Sequence, residues 1–196
     1  SILYQFMYAE YRTEASAWLN CVKNILIKCG FSGFWDKQRV DNPVWLVKSA
    51  KQKLKDLFIN EWFLNISNSS TSLNYRLFKE KFELEYYMLK LPYPMKRDLC
   101  HFRTRNHRLS IETGKWIGLE ISERKCSFCM QEVGDEFHVL LRCPTFNVHR
   151  KRYIKPYFTV NPNIIKFNEL MNSKNIKQLK NLCKFIKIIL QSATSS

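Results

Sequence analysis

Glycine and proline are scarce in this chain, five and six among 196 residues. That scarcity excludes collagen-like, linker-dominated and low-complexity chains. Acidic residues are also few: 17 Asp and Glu face 32 Lys and Arg, a formal charge of +15. No apolar run approaches the roughly 18–20 residues needed to span a bilayer, so no membrane association is predicted. The first residues lack the charged start, apolar core and small-residue cleavage site of a secretory signal. The opening Ser1 suggests a fragment or a processed product. No Asp-Asp dipeptide occurs, and no Asp/Glu pair converges on a recognisable catalytic site.

What is present is a foldable chain. Hydrophobic residues make up 45% and aromatics 14%, too many for a disordered basic tail and enough for a real core. The charge is uneven: residues 1–95 carry a net +4 and residues 96–196 a net +11. The second half therefore points to a polyanionic partner, with a basic surface kept for solubility as the alternative.

Seven cysteines stand at 21, 29, 100, 126, 129, 143 and 183. An odd number without a secretory signal argues for a reducing compartment, where clustered thiols usually mean metal. Cys21, Cys29, Cys100 and Cys183 have no clustered partner and read as buried small hydrophobes.

Apolar periodicity predicts a mainly α fold, a helical bundle with a small Cys3His zinc-knuckle-like loop–helix insertion. Trp18, Leu19, Val22, Ile25, Leu26 and Cys29 mark a first helix stopped by Gly30. Asn42-Pro43 opens a second, with a stripe from Val44 to Trp62. The polar run from Ser67 to Ser72 reads as a joint. Tyr75 to Leu89 reads as one helix ended by Pro92 and Pro94, and residues 95–109 as another. Amphipathic segments follow at 145–157, 161–170 and 174–190. The only strand candidates are Ser110–Trp116 and the residues around Cys126. Three regions result: 1–95 helical, 96–158 a basic zinc-binding module, and 159–196 helices packing on it.

Cys126, Cys129, His138 and Cys143 form the pattern Cys-x2-Cys-x8-His-x4-Cys. A Cys-x-x-Cys turn presents two thiolates to one ion, and Asp135 would start a helix carrying His138, with Cys143 near its end before Pro144. Such a donor set predicts one structural Zn2+ with a closed coordination sphere. The alternatives are chance cysteines with a core histidine, or a redox Cys-x-x-Cys, whose βαβ surroundings are missing. His107 is a possible substitute ligand or a hydrogen-bonded structural residue.

The zinc unit would gather Arg103, Arg105, Arg108, Arg124, Lys125 and Arg142, with Arg150, Lys151 and Arg152 close behind. Their side chains suit phosphates. Beside Lys115, Trp116 is a candidate for stacking on unpaired bases, and Phe128 reads either as a stacking ring or as a core plug. Lys174, Lys177, Lys180, Lys184 and Lys187 read as a solvated helix face.

Two blocks, CSFCMQEVGDEFHVLLRCP from Cys126 to Pro144 and FRTRNHRLSIETGKW from Phe102 to Trp116, together resemble the zinc-binding region that follows the polymerase domain in non-LTR retrotransposon reverse transcriptases. The likeness covers roughly residues 99–146. One departure is the absence of glycine beside Cys129, where many zinc knuckles have one. The resemblance implies a polyprotein piece that binds element RNA or target DNA in target-primed reverse transcription, beside an upstream polymerase domain. It implies a ribonucleoprotein in the nucleus or cytoplasm. The polymerase's carboxylate pair has no counterpart here, so no catalysis is expected of this chain alone. A zinc-stapled protein-interaction scaffold and a decayed or host-adopted retroelement copy are the other readings.

Overall fold

Side-chain caps and left-handed residues set several of the helix boundaries in the computed structural model, which describes residues 9, 16–37, 39–69 and 74–195. The chain divides into two units, Ser1–Asn65 and Ile66–Ser196. The three regions expected from sequence do not share that boundary. Among the described residues the structure is helical without strands, apart from an isolated antiparallel bridge between Lys125 and Val133.

In the first unit, α1 spans Ala17–Lys28. The Ser16 hydroxyl accepts from Leu19 N at 3.5 Å, and Gly30 at φ 78° turns the chain out of the helix. Next come α2, Ser32–Lys37, and α3, Pro43–Asn68, whose first turn is capped by Asn42 Oδ1 accepting from Trp45 N at 2.9 Å. Phe31, Phe34 and Trp45 form a cluster with ring centroids 5.9–6.2 Å apart. The long stripe of α3 is not a core face: none of its residues is buried, and Val44, Val47 and Phe58 are exposed. Apolar spacing specified the helix but not a partner to cover it. Cys29 is buried as expected; Cys21 is exposed, against expectation. Of the expected joint, Ser67 and Asn68 close α3 and Ser69 follows it, while residues 70–73 lie outside the described residues.

The second unit contains the larger core. The single helix expected over 75–89 is broken into α4, Tyr75–Phe78, and α5, Tyr86–Lys90, with a bend at 81–83. Pro92 then precedes α6, Tyr93–Arg103, with Pro94 in its first turn, where a missing N–H costs nothing. Ser110–Trp116, a strand candidate by sequence, is helix α7. Beyond the cysteine segment lie α8 (Asn147–Tyr153), α9 (Pro156–Thr159), α10 (Ile164–Met171) and α11 (Ile176–Ser195).

The centre of this unit is α11, which packs against α6 and α8. Leu179, Leu182, Cys183, Phe185, Ile186 and Ile189 are buried, while Lys177, Lys180, Lys184 and Lys187 are exposed on its other side. Each large apolar side chain so buried contributes about 1.5–3 kcal/mol. The same core takes in Cys126 and Cys143, so the cysteine segment is packed into the fold instead of hanging from it.

Candidate metal centre

The cysteine segment begins with a tight scaffold. Ile121–Glu123 forms a 3-10 turn whose capping box pairs Glu120 with Glu123. Arg124 then ties two carbonyls, its guanidinium donating to Leu119 O at 2.7 and 3.0 Å and to Ile111 O at 3.0 Å. Cys126 N donates to Glu132 O at 2.8 Å and Gly134 N to Arg124 O at 2.9 Å, closing a short antiparallel hairpin around the Cys-x-x-Cys turn. Inside it Met130 N donates to Cys126 O at 2.8 Å. Met130 has φ 57°, so a methionine occupies the left-handed position where glycine was missing from the sequence.

The second ligand pair comes from a different device. Asp135 Oδ1 accepts from His138 N at 2.7 Å, a cap that starts the helical run as expected. From His138 to Arg142 that run widens into a π-turn, closed by Cys143 N donating to His138 O at 2.7 Å. Residues five apart in an α-helix face about 140° away from one another. The wider winding brings His138 and Cys143 onto one side, as π-turns at functional sites do.

The four donor atoms of Cys126, Cys129, His138 and Cys143 lie within 4.8 Å of one another. Cys126 Sγ and Cys143 Sγ are 3.9 Å apart, and Cys129 Sγ and His138 Nε2 3.2 Å. A tetrahedron with Zn–S bonds of about 2.3 Å has edges near 3.8 Å. The group suits one metal ion, and its thiolate and imidazole donors favour zinc over hard cations.

The protein's own groups prepare the thiols unequally. Burial pushes Cys126 up to about 12, against the backbone N–H groups of Phe128 and Cys129. At Cys129 burial also pushes upward, but the backbone N–H of Gln131 and the hydrogen bonds with His138, Cys126 and Cys143 bring it down to about 7. Of these two, Cys129 is the readier thiolate, and an entering cation would have to draw the proton from Cys126. Around the donors, His138 Nδ1 meets Glu132 Oε2 at 3.0 Å, and Arg142 Nη1 lies 3.5 Å from the same oxygen. Glu132 was missed in the sequence, since spacing alone does not separate it from Asp135 or Glu136.

The expected basic set does not stay together. Arg103 is only 1% exposed: it pairs with Glu85 at 2.5 Å, donates to Met171 O at 2.7 Å and lies between the rings of Phe78 and Tyr87. Arg150 is buried under the π-turn, donating to Leu140 O at 2.9 Å and Cys143 O at 2.7 Å. Arg124 is spent on the carbonyls already named. Arg105 reaches Glu136 at 3.2 Å and Glu112 at 3.6 Å, with its side chain 8% exposed. These four are corrected from phosphate contacts to internal ties, because their guanidinium groups are already engaged by carboxylates or backbone carbonyls of the fold. Arg108, Lys115, Lys125, Lys151 and Arg152 are exposed, as is Trp116. Arg142 is exposed too, stacked over the Phe137 ring at 5.0 Å. Phe128 is half-buried with its ring edge-on to Phe146 at 4.9 Å, which favours the plug reading.

His107 does not join the metal donors. Its Nε2 lies 2.9 Å from Glu136 Oε1, and Asn74 Nδ2 donates to Glu136 Oε2 at 2.5 Å. Burial pushes the Glu136 carboxyl up, but the His107 hydrogen bond and the charges of His107 and Arg105 outweigh it and hold the group below its ordinary value. This network fastens the metal segment to the turn after α6. No helix among the described residues is long and apolar enough to cross a membrane. No family model, curated protein or solved structure matches the chain.

Proposed function

We propose that the second unit is a nucleic-acid-binding module stapled by one structural zinc, derived from the C-terminal part of a non-LTR retrotransposon reverse transcriptase. The observation that carries this reading is the convergence of Cys126, Cys129, His138 and Cys143. All four positions of a tetrahedral ion are filled by protein, which leaves none for an activated water and favours a structural over a catalytic role. Bound there, the ion supplies a fixed crosslink between the hairpin and the π-turn.

Binding would fall to the cations left at the surface: Arg108, Lys115, Lys125, Arg142, Lys151 and Arg152. These can hold phosphates, while the buried arginines keep the scaffold in shape. The sequence resemblance supports the finer reading of a partner to an upstream polymerase domain, holding element RNA or target DNA within a ribonucleoprotein. The chain's own task is then positioning, with no chemistry of its own.

Two measurements test this. Binding of a labelled single-stranded RNA, followed by anisotropy from 50 to 300 mM salt (on the order of the range over which counterion release is read), should give a logarithmic slope of about −4 to −5 for six neutralised phosphates. A slope near zero rejects nucleic-acid binding. Native protein should contain about one equivalent of zinc. Its absence, or unchanged content in Cys143→Ser, rejects the metal.

A further inference from the structure

The Glu112 carboxylate has one partner among the described residues, the Arg105 guanidinium, although only 5% of the residue is exposed. Its carboxylate meets Arg105 Nε at 3.6 Å, beyond hydrogen-bond length, and that guanidinium sits closer to Glu136, at 3.2 Å. A buried carboxylate with spare acceptor capacity is costly, and native structures rarely leave one so. Glu112 lines a groove of about 550 Å³ between the end of α6, helix α7 and the last turns of α11. Trp116, 65% exposed, lines the same groove one helical turn further along α7. Residues four apart share a helix face, so a ring and an acceptor stand together on one wall. Arg108 and His101 lie on the groove as well.

We infer that this groove takes one unpaired guanine nucleotide of a single strand. The inference rests on the nucleic-acid reading above and names the feature read. Trp116 offers a face for stacking, as single-strand binders use. Glu112, acceptor-only when ionised, needs donors in pairs. Guanine's Watson–Crick edge has an adjacent ring N–H and amino group, which match the two oxygens of a carboxylate. Adenine offers its amino group beside a ring acceptor, cytosine likewise, and uracil's one N–H is flanked by carbonyls. Such edges are accessible only in unpaired nucleotides. Arg108 supplies the charge for the adjoining phosphate, and the groove volume lies within the range of nucleotide-sized sites. Arg105, which also lines the groove, stays paired with Glu136, so its guanidinium and the incoming base share the Glu112 carboxylate.

The test uses the full chain with a nine-residue RNA of uridines, the same RNA with one central guanosine, and guanosine 5′-monophosphate. The wild type should bind the guanosine-containing strand about tenfold or more tightly than the all-uridine strand, and the monophosphate should quench tryptophan fluorescence. Glu112→Gln should reduce the guanosine preference to threefold or less. Trp116→Ala, a surface change that leaves the core intact, should weaken single-strand binding about tenfold and abolish the quench, with zinc content unchanged. Lys180→Ala, on the solvated face of α11, serves as control. Salt-sensitive binding with no guanosine preference, or preference retained in both variants, overturns the groove while the module's nucleic-acid reading stands. Absence of binding to either strand overturns both.

Discussion

His138 is held from both ends: Nε2 faces Cys129 Sγ at 3.2 Å while Nδ1 meets Glu132 Oε2 at 3.0 Å. The carboxylate fixes which ring nitrogen is left for an ion. A His–carboxylate pair of this kind orients the ring and raises its basicity as a ligand. The hydrogen bond from His138 and the nearby Arg142 hold Glu132 ionised, its carboxyl lying below the ordinary value despite some burial.

Glu132→Ala should therefore lower zinc affinity by about 10–100-fold without unfolding the second unit. Competition with a chromophoric chelator, with circular dichroism as the check on folding, measures it. Unchanged affinity would show that the Glu132 contact does not support the ligand.

The hairpin should respond in opposite directions to two glycine changes. Met130 sits at φ 57°, where an L-residue costs about 1–2 kcal/mol, so Met130→Gly should stabilise by about 0.5–1 kcal/mol after the flexibility gained in the unfolded chain is subtracted. At Gly134 a methyl group would lie 2.7 Å from Cys126 Cα and 2.9 Å from Ser110 Cβ. Gly134→Ala should then cost about 1–3 kcal/mol or more and reduce zinc retention. Urea midpoints and metal content report both.

Arg103 and Arg152 should separate scaffold from surface. Arg103→Met takes the closer of two cations from the half-buried Glu85, leaving Lys79 at 3.7 Å, and removes the guanidinium from the Phe78 and Tyr87 rings, an expected loss of about 3 kcal/mol. Arg152→Met should change stability by under about 0.5 kcal/mol and lower the salt slope for RNA by about 1. Equal stability effects would contradict the burial of Arg103.

Acid should loosen the segment partly through Glu136. Its carboxyl is held below the ordinary glutamate value of 4.5 in the folded protein, so just below that value the unfolded chain binds more protons. The stabilisation is present in full above pH 4.5 and is lost as pH falls through the lower folded value. Glu136→Gln should flatten that part of the profile. Urea midpoints of wild type and variant between about pH 6 and 3 make the comparison, and metal loss, common to both proteins, cancels in the difference.

Neighbouring residues alone carry what short-range chemistry controls. Cys-x2-Cys-x8-His-x4-Cys specified four donors of the right type, Asp135 marked the start of the run carrying two of them, and the spacing of Leu179, Leu182, Cys183 and Ile186 specified the helix on which they rest. Local hydrogen bonds and periodicity are written in neighbouring residues, so these features need no knowledge of the rest of the chain. Which arginines remain available to a ligand was settled by long-range packing. Arg103 and Arg108 look alike in sequence, yet Glu85, 18 positions before Arg103, and Met171, 68 positions after it, capture the first and leave the second exposed. The π-turn, the Glu132 contact with His138 and the pairing of Glu112 with Arg105 likewise depend on partners that folding brings close. Buried charge must find an opposite charge or a donor, and where that partner stands is a property of the packed fold.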